Sequence, residues 1–272
     1  MRTTRRRFLQ LTATAIATLS LDKLWAAKGD LFFAHIFGGS ARTAASRGAL
    51  LGADEAARAA GLLGTHLELR AREVVDARAA VREAAALIDQ GALALIGGLD
   101  AATRSALAEL AESRGVPLLT TREPGDASAD EPLYEHVFHV ASTPRERREA
   151  LERWKVRQTA APAAQVKIAD WHPSLERFGA EQLNQRYRER FGGPMEPLAW
   201  ASWVAVKAAA EAALRGADTP AELSRRLATL AFDGHKGTRL RFRPNDHTLQ
   251  QPLYVIAGER VLAEIPPEEE QG

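Results

Sequence analysis

Residues 31–62 read LFFAHIFGGSARTAASRGALLGADEAARAAGL, and this stretch decides the fold. Leu31 to Phe37 is a continuous apolar run that ends at Gly38-Gly39, which is typical of a parallel strand covered on both faces. An amphipathic helical run follows from about Thr43 to Ala60 and stops at Gly61. The stretch therefore predicts a buried strand that leads directly into a helix.

The same alternation continues to residue 141. The predicted strands are His66–Arg70, Leu93–Ile96, Val116–Thr120 and Val137–Ala141, and the predicted helices are Asp76–Gln90 and Ala102–Arg114. Strands that alternate with helices of this length imply right-handed crossovers and a parallel sheet with helices on both faces. The sequence thus predicts the α/β class with a doubly wound parallel sheet.

Helices dominate the second half of the chain. After a surface loop at 122–135, the predicted elements are helix Arg145–Val156, linker Thr159–Ala164, strand Val166–Ala169, helices Leu175–Phe191, Pro197–Arg215 and Pro220–Ala231, and strands Thr238–Arg243 and Tyr254–Ile256. We predict four regions: a signal peptide at 1–27, an N-terminal α/β lobe at 28–143, a reduced and mostly helical second lobe at 144–196, and C-terminal helices and strands at 197–272 that return to the first lobe.

Composition excludes several classes of function. The 272 residues include 36 Lys and Arg against 35 Asp and Glu, so a net charge of +1 gives no field that would concentrate nucleic acid. The chain has no cysteine, which excludes disulfides, thiolate metal sites and thiol nucleophiles. The seven histidines are dispersed, and we expect no metal site and no cofactor.

The N-terminus predicts export. A basic head is followed by an apolar run from Phe8 to Leu21, which is too short for a membrane span of about 20 apolar residues. Thr4-Arg5-Arg6-Arg7-Phe8-Leu9-Gln10 resembles the twin-arginine signal, which implies that the remainder lies in the periplasm. An uncleaved N-terminal anchor is the alternative, because Leu24 and Trp25 suit a cleavage site poorly.

Three turns supply the candidate ligand-binding residues. They follow the first, third and fourth predicted strands, and the carboxyl ends of parallel strands meet at one sheet edge, where ligands bind in such folds. The candidates are Gly39, Ser40, Asp100, Ala101, Thr103, Thr120 and Thr121. At each turn the alternative is an ordinary helix N-cap or connection, since both need short polar residues.

Catalytic patterns are weak. Ser40 lies at a strand-to-helix turn, as a hydrolase nucleophile does, but the residue two positions later would have to be Gly and is Arg42. His136 and His139 are three apart, which on a strand directs them to opposite faces. We therefore predict no catalytic residues and no enzyme activity.

The segments FFAHIFGGSARTAASRGALLGADEAARAAG, ALALIGGLDAATRSALAELAESRGVPLLTT and FDGHKGTRLRFRPNDHTLQQPLY resemble the type I periplasmic binding proteins of the branched-chain amino acid family. More narrowly, they are similar to the binding proteins found with pyrroloquinoline-quinone-dependent alcohol dehydrogenase systems. The resemblance implies two lobes that close over a small ligand. It also implies that Gly39-Ser40, Asp100-Ala101 and Thr120-Thr121 contact that ligand.

The chain departs from the pattern of that family in two places. Ala101 stands where the amino-acid binders have a Ser that meets the ligand carboxylate, and Arg122-Glu123 replaces an Ala-Thr, which argues against an amino acid ligand. Between Val156 and Val166 there is no room for the βαβ units of a full second lobe, since one unit takes about 30 residues.

These observations lead to two hypotheses. The first is a periplasmic solute-binding protein for uptake or sensing of a small organic ligand, which works with an ABC permease and is linked to quinoprotein alcohol oxidation. The second is a degenerate form of the same fold that acts as an accessory partner of a periplasmic dehydrogenase. Both predict no nucleic acid partner, and membrane contact only through the signal peptide or a permease.

Overall fold

The computed structural model describes residues 30–39, 42–98, 100–122, 133–158 and 165–267. The predicted signal peptide at 1–27, Ser40, the linker Thr159–Ala164 and the acidic tail lie outside the described residues, as does most of the predicted loop at 122–135. Among the helices of the described ranges, none has the length and apolar character needed to cross a membrane.

A five-stranded parallel sheet forms the centre of the fold, in the order β2-β1-β3-β4-β5. Its strands are β1 (Leu31–Gly38), β2 (Leu67–Val74), β3 (Leu95–Gly97), β4 (Leu118–Thr120) and β5 (Val137–His139). All four neighbouring pairs are parallel. Adjacent residues of β1 such as Phe33 and Ala34 are both fully buried, because helices cover both faces. The predicted doubly wound α/β sheet is confirmed.

Within the described ranges, seven helices surround the sheets. They are α1 (Arg42–Leu62), α2 (Ala77–Asp89), α3 (Ala101–Arg114), α4 (Pro144–Val156), α5 (Ala180–Phe191), α6 (Pro197–Leu214) and α7 (Pro220–Leu227). Helices α2 and α3 pack together on one face of the parallel sheet, while α1 and α6 cover the other. The α1–α6 contact is close, because Gly48 of α1 lies directly against the backbone of Ala199 in α6.

The described residues also form two small antiparallel sheets. One has the order β11-β10-β6 and contains β6 (Lys167–Ala169), β10 (Leu253–Ala257) and β11 (Arg260–Ile265). The other has the order β7-β8-β9 and contains β7 (Ala231–Asp233), β8 (Arg239–Phe242) and β9 (Leu249–Gln250). A β-bridge between His139 and Thr248 joins the second of these to the edge of the parallel sheet.

The packing groups these elements into two bodies. Helix α4 packs on β6 and β10, and we call α4, β6, β10 and β11 the small body. The remaining elements form the main body around one large apolar core. Helix α5 belongs to the main body, since Arg186 of α5 donates to Glu55 of α1 at 3.0 Å. The predicted domain boundaries themselves stay a prediction.

The described part of the chain passes between the two bodies three times. The first crossing, residues 140–143, leads from β5 to α4. The second, residues 170–171, leads from β6 back to the main core, where Trp171 is fully buried. The third, residues 251–252, leads from β9 to β10. Any change in the relative position of the bodies must be absorbed by these short segments.

Two predicted helices need correction. The helix expected at Leu175–Phe191 begins only at Ala180. It is preceded by a 3-10 turn at Arg177–Gly179, and within this turn Phe178 has a positive φ of 59°, which is incompatible with a continuous α-helix. The helix expected to reach Ala231 ends at Leu227, and Ala231 starts β7 instead. Strand β11 was not predicted, although its residues alternate between exposed and partly buried.

Candidate functional site

The parallel register brings the predicted turns to one edge of the sheet. Strands β1, β3 and β4 end at Gly38, Gly97 and Thr120, and they are consecutive neighbours. The chain order runs from β1 outward to β2 and then back across to β3, so the sheet reverses its direction of growth between β1 and β3. A crevice outside the strand ends at such a switch point is where ligands bind in open α/β sheets.

Glycines keep the edge of the sheet free of side chains. A Cβ at Gly97, where φ is +152°, would overlap the carbonyl oxygen of Ile36 in the neighbouring strand. Gly39 follows β1 with φ +71° and is exposed, with open space where a side chain would stand. A ligand can therefore approach the backbone at Gly39 closely, whereas Gly97 is required by the close packing of β3 against β1.

The turn after β3 holds an ordinary helix cap. Asp100 accepts hydrogen bonds from the Thr103 backbone N–H at 2.9 Å and from the Thr103 hydroxyl at 2.8 Å. Asp100 and Ala101 are exposed, whereas Thr103 is buried. The carboxylate of Asp100 thus accepts a backbone N–H in the first turn of α3, so Asp100 is an ordinary helix N-cap. This was the alternative to ligand binding for this residue.

Thr120 and Thr121 differ in their hydrogen bonding. The Thr120 hydroxyl lies 3.0 Å from Nδ1 of His139 in the neighbouring strand β5. Thr121 is fully buried, its N–H donates to Gly97 O at 2.9 Å, and its hydroxyl has no hydrogen-bond partner among the described residues. Leaving such a hydroxyl unpaired costs about 1–3 kcal/mol. Thr121 is therefore the candidate residue with an open requirement for a partner.

His35 is a buried polar residue that the sequence reasoning missed. It lies within β1, where burial lowers its pKa to about 4, so the ring is neutral at pH 7. Its Nε2 has no hydrogen-bond partner among the described residues. His35 pairs with Ile96, and Ile96 pairs with Leu119, so these three residues lie on one face of the sheet. Thr121 follows Leu119 by two positions and therefore lies on the same face. This is the face that α1 and α6 cover. The sequence contained a signal for this residue, because a histidine inside an otherwise apolar strand indicates a buried polar side chain.

Arg104 is a second buried residue that was not predicted. It is fully buried in the first turns of α3, and its Nη1 lies 3.4 Å from Gly98 O. A Cβ at Gly98 would press on the Arg104 side chain, so the glycine makes room for it. The guanidinium places a permanent positive charge beneath the turn after β3, next to the predicted ligand site.

The two histidines near β5 have separate partners. His136 Nδ1 lies 3.1 Å from the Ser224 hydroxyl of α7, whereas His139 contacts Thr120. Within the described ranges, no three His, Asp or Glu side chains are grouped so that they could hold a metal ion.

Two clefts lie away from the predicted turns. One of about 600 Å³ lies between the β7–β8 turn and the small body; it is lined by Phe178, Lys236, Gly237, Thr238, Arg239, Arg241, Gln250, Pro252, Glu264, Pro266 and Pro267. The other, of about 800 Å³, lies beside α5 and carries several carboxylates, including Glu176 and Glu181. Neither cleft was predicted from the sequence.

Comparisons with known proteins agree with the geometry. Residues 37–166 match the model of a family described as periplasmic binding protein. A search of curated proteins finds no match.

Solved structures resemble most of the chain. A periplasmic binding protein from Burkholderia mallei has a TM-score of 0.71 and 13% identity, covering 88% of this chain and 96% of its own. An ABC transporter substrate-binding protein from Sphaerobacter thermophilus has a TM-score of 0.73 and 12% identity, covering 88% and 98%. A branched-chain amino acid transporter substrate binding protein from Streptococcus pneumoniae, in complex with isoleucine, has a TM-score of 0.65 and 16% identity, covering 86% and 98%. The resemblance stated from the sequence is confirmed at the level of the fold.

Proposed function

We propose that this chain, which has the fold of the periplasmic binding proteins, is a solute-binding protein that takes a small organic ligand at the carboxyl edge of β1, β3 and β4. The buried, unpaired hydroxyl of Thr121 at this edge carries the proposal. A buried polar group without an internal partner is matched by a bound water or ligand in most proteins. Binding rather than catalysis is the activity that this arrangement supports.

The ligand class follows from the turns and from the relatives. Two solved neighbours hold isoleucine or leucine, so branched-chain amino acids belong in any screen. Ala101 removes a hydroxyl that would meet an amino acid carboxylate, which favours a different small organic molecule. Delivery to an ABC permease, and a link to quinoprotein alcohol oxidation, are the parts of the proposal that rest on sequence resemblance alone.

A ligand screen by thermal melting tests the proposal. A ligand that binds only the folded chain stabilises it by about 2.7 kcal/mol at 100 times Kd, which should raise the Tm by several degrees. Amino acids, alcohols, aldehydes, organic acids and quinones are the compounds to test. If all of them leave Tm unchanged while a periplasmic dehydrogenase copurifies with the chain, the accessory hypothesis is favoured instead.

Thr121→Val separates ligand binding from stability. Valine keeps the shape and removes the unpaired hydroxyl, so we expect the free protein to be as stable as the wild type or up to about 1 kcal/mol more stable. The Kd of the ligand identified in the screen should rise about tenfold, because the ligand loses its hydrogen bond. Isothermal titration and urea unfolding measure the two effects.

Ser202→Ala is the matched control for this variant. Ser202 also has a fully buried hydroxyl with no hydrogen-bond partner among the described residues, but it lies within α6. We expect a comparable change in stability and no change in Kd. Equal losses of affinity in both variants would argue against a site at Thr121.

The proposed location can be tested on the export signal. Replacing Arg5 and Arg6 together by Lys removes the arginine pair, so we expect the protein to accumulate in the cytoplasm. Arg7→Lys changes the variable position of the pattern and should leave export intact. Fractionation followed by immunoblotting measures the distribution. Normal export of the double variant would contradict the twin-arginine route.

A further inference from the structure

Lys236 is a fully buried lysine in the turn between β7 and β8. Its ammonium group contacts three oxygens: the carbonyl of Asp170, the side-chain Oε1 of Gln251 at 2.6 Å and the carbonyl of Pro252 at 3.0 Å. In its charged form, which the lysine keeps below pH about 7, the group has three protons to donate, so each oxygen can receive one. The lysine is therefore fully used inside the protein and has no proton left for an external ligand.

The three acceptors of Lys236 lie in chain crossings between the two bodies. Asp170 belongs to the second crossing, and Gln251 and Pro252 form the third. The amide of Gln251 extends the connection, because its Nε2 donates to Val140 O of the first crossing at 2.9 Å. The Asp170 carboxylate accepts the N–H of Ser142, also in the first crossing, at 3.0 Å. One ammonium and its immediate partners thus connect all three crossings.

Aromatic rings from both bodies enclose the same ammonium. Its Nζ lies 4.0 Å from the ring centre of Trp200 in α6 and 5.2 Å from that of Tyr254 in β10. Both contacts have the geometry of a cation–π interaction. Among the described residues no carboxylate oxygen lies within ion-pair distance of Nζ, so its nearest partners are neutral carbonyls and rings.

A general role in stability explains this arrangement poorly. Burying a charged lysine costs several kcal/mol, and an apolar residue of similar volume would fill the same space at lower cost. What an apolar residue cannot do is fix three separate backbone segments in one geometry by directed hydrogen bonds. The position of the lysine, and not only its burial, is therefore the feature to explain.

We propose that Lys236 is a positioning residue that holds the three crossings together and so fixes the small body relative to the main body. This role of Lys236 also has a consequence for binding, which rests on the proposed function. Ligand affinity depends on the fraction of molecules in which the two bodies adopt the arrangement that binds the ligand. When only a fraction of molecules is competent to bind, the apparent Kd rises in proportion. Loss of the lysine should therefore weaken binding without touching the ligand site.

Hydrogen exchange of Lys236→Met tests the inference without any ligand. The amide of Ser142, bonded to Asp170, reports on the first crossing, and the peptide covering 249–253 reports on the third. We expect amide exchange in both segments to become about tenfold faster. In the variant the hydrogen bonds to the ammonium are absent, so local opening of the segments no longer has to break them. The exchange rates of the most protected amides in α1 and α6 are first corrected for the change in global stability. After this correction, their order from slowest to fastest should be the same as in the wild type.

Lys207→Met is the matched control. Lys207 lies in α6, its Nζ is 5.8 Å from the Trp203 ring centre, and it pairs with Glu211 at 3.0 Å. The substitution is identical but lies away from the crossings, so exchange at 140–143 and 249–253 should stay at the wild-type rate. If Lys236→Met accelerates every region equally, the lysine supports the fold in general and the proposal is overturned.

Gln251→Glu is the second variant and decides the case if Lys236→Met does not fold. Glutamate still offers an acceptor to Lys236 but cannot donate to Val140 O. We expect faster exchange at 140–143 with little change in the amides of β6. An unchanged rate at 140–143 would overturn the proposal.

A ligand measurement then separates this inference from the proposed function. With a ligand in hand, Lys236→Met should raise Kd about fivefold to tenfold, as expected when fewer molecules are competent to bind. If the wild type binds none of the screened compounds, the proposed function fails while the exchange experiment still stands. Wild-type Kd in a variant with loosened crossings would refute the effect on affinity alone.

Discussion

Gly48→Ala should lower the free energy of unfolding by about 3 kcal/mol, near the upper end of the usual cost of overpacking. A methyl group at Gly48 would overlap the backbone of Ala199, including its carbonyl oxygen, and backbone atoms cannot rotate away as a side chain can. The helices α1 and α6 would have to move apart. The buried alanines of α6 belong to the main core, so the separation would open that core. Urea unfolding followed by far-UV circular dichroism measures the loss.

Gly61→Ala is the control for this prediction. Gly61 lies in the same helix, and a Cβ there would meet nothing within 4 Å. Alanine is the better helix former by about 0.5–1 kcal/mol, so this variant should be slightly more stable than the wild type. The two substitutions are chemically identical and should act with opposite signs. Two changes of the same sign would show that the α1–α6 contact is not the determinant.

The free energy of unfolding of the wild type, minus that of Lys236→Met, should increase as pH rises from about 7 to about 10. Burial lowers the pKa of Lys236 to about 7, an effect that the carboxylates of Asp170 and Glu264 partly oppose. Between that value and the ordinary 10.5, the unfolded chain binds a proton that the folded chain has released. Stability rises with pH wherever the unfolded state binds more protons.

The Lys236 effect amounts to at most about 5 kcal/mol over the full interval, at about 1.4 kcal/mol for each pKa unit. Below pH 7 the lysine is charged in both states, so the difference should be constant there. Urea unfolding of both proteins at pH 6, 8 and 10 measures the trend, and groups that titrate in both proteins cancel in the difference. A difference that stays flat from pH 7 to 10 would contradict a lowered pKa.

Much of the fold was predictable because it follows from patterns with few alternatives. An apolar run ending in two glycines predicted β1 to within one residue, and Pro220 marked the start of α7. The break at Phe178 was not predictable from hydrophobicity, since the apolar stripe continues through it. Gly179, with φ +85°, was the overlooked sign that the helix begins later. Strand β11 was missed although Val261, Ala263 and Ile265 alternate along it with more exposed residues.

The candidate site was predictable in its location and not in its chemistry. Parallel topology alone brings the turns after β1, β3 and β4 to one edge. Whether a threonine there is paired or unpaired depends on distances of a few tenths of an ångström, which no pattern encodes. Lys236 is the extreme case, because lysines are almost never fully buried and its sequence neighbours Gly234 and Gly237 suggest only an exposed turn.

The indole rings of Trp171 and Trp200 stack at 5.7 Å with an angle of 7° between their planes. Both rings belong to the main core, where the indole N–H of Trp171 also donates to Oδ1 of Asn184 in α5 at 3.0 Å, so the stack anchors the end of the second crossing to the main body. Parallel indoles at this distance share their electronic excitation, and both emission and near-ultraviolet ellipticity are sensitive to their alignment. The protein thus carries an intrinsic optical probe of the point where the second crossing joins the main core, readable without an attached dye.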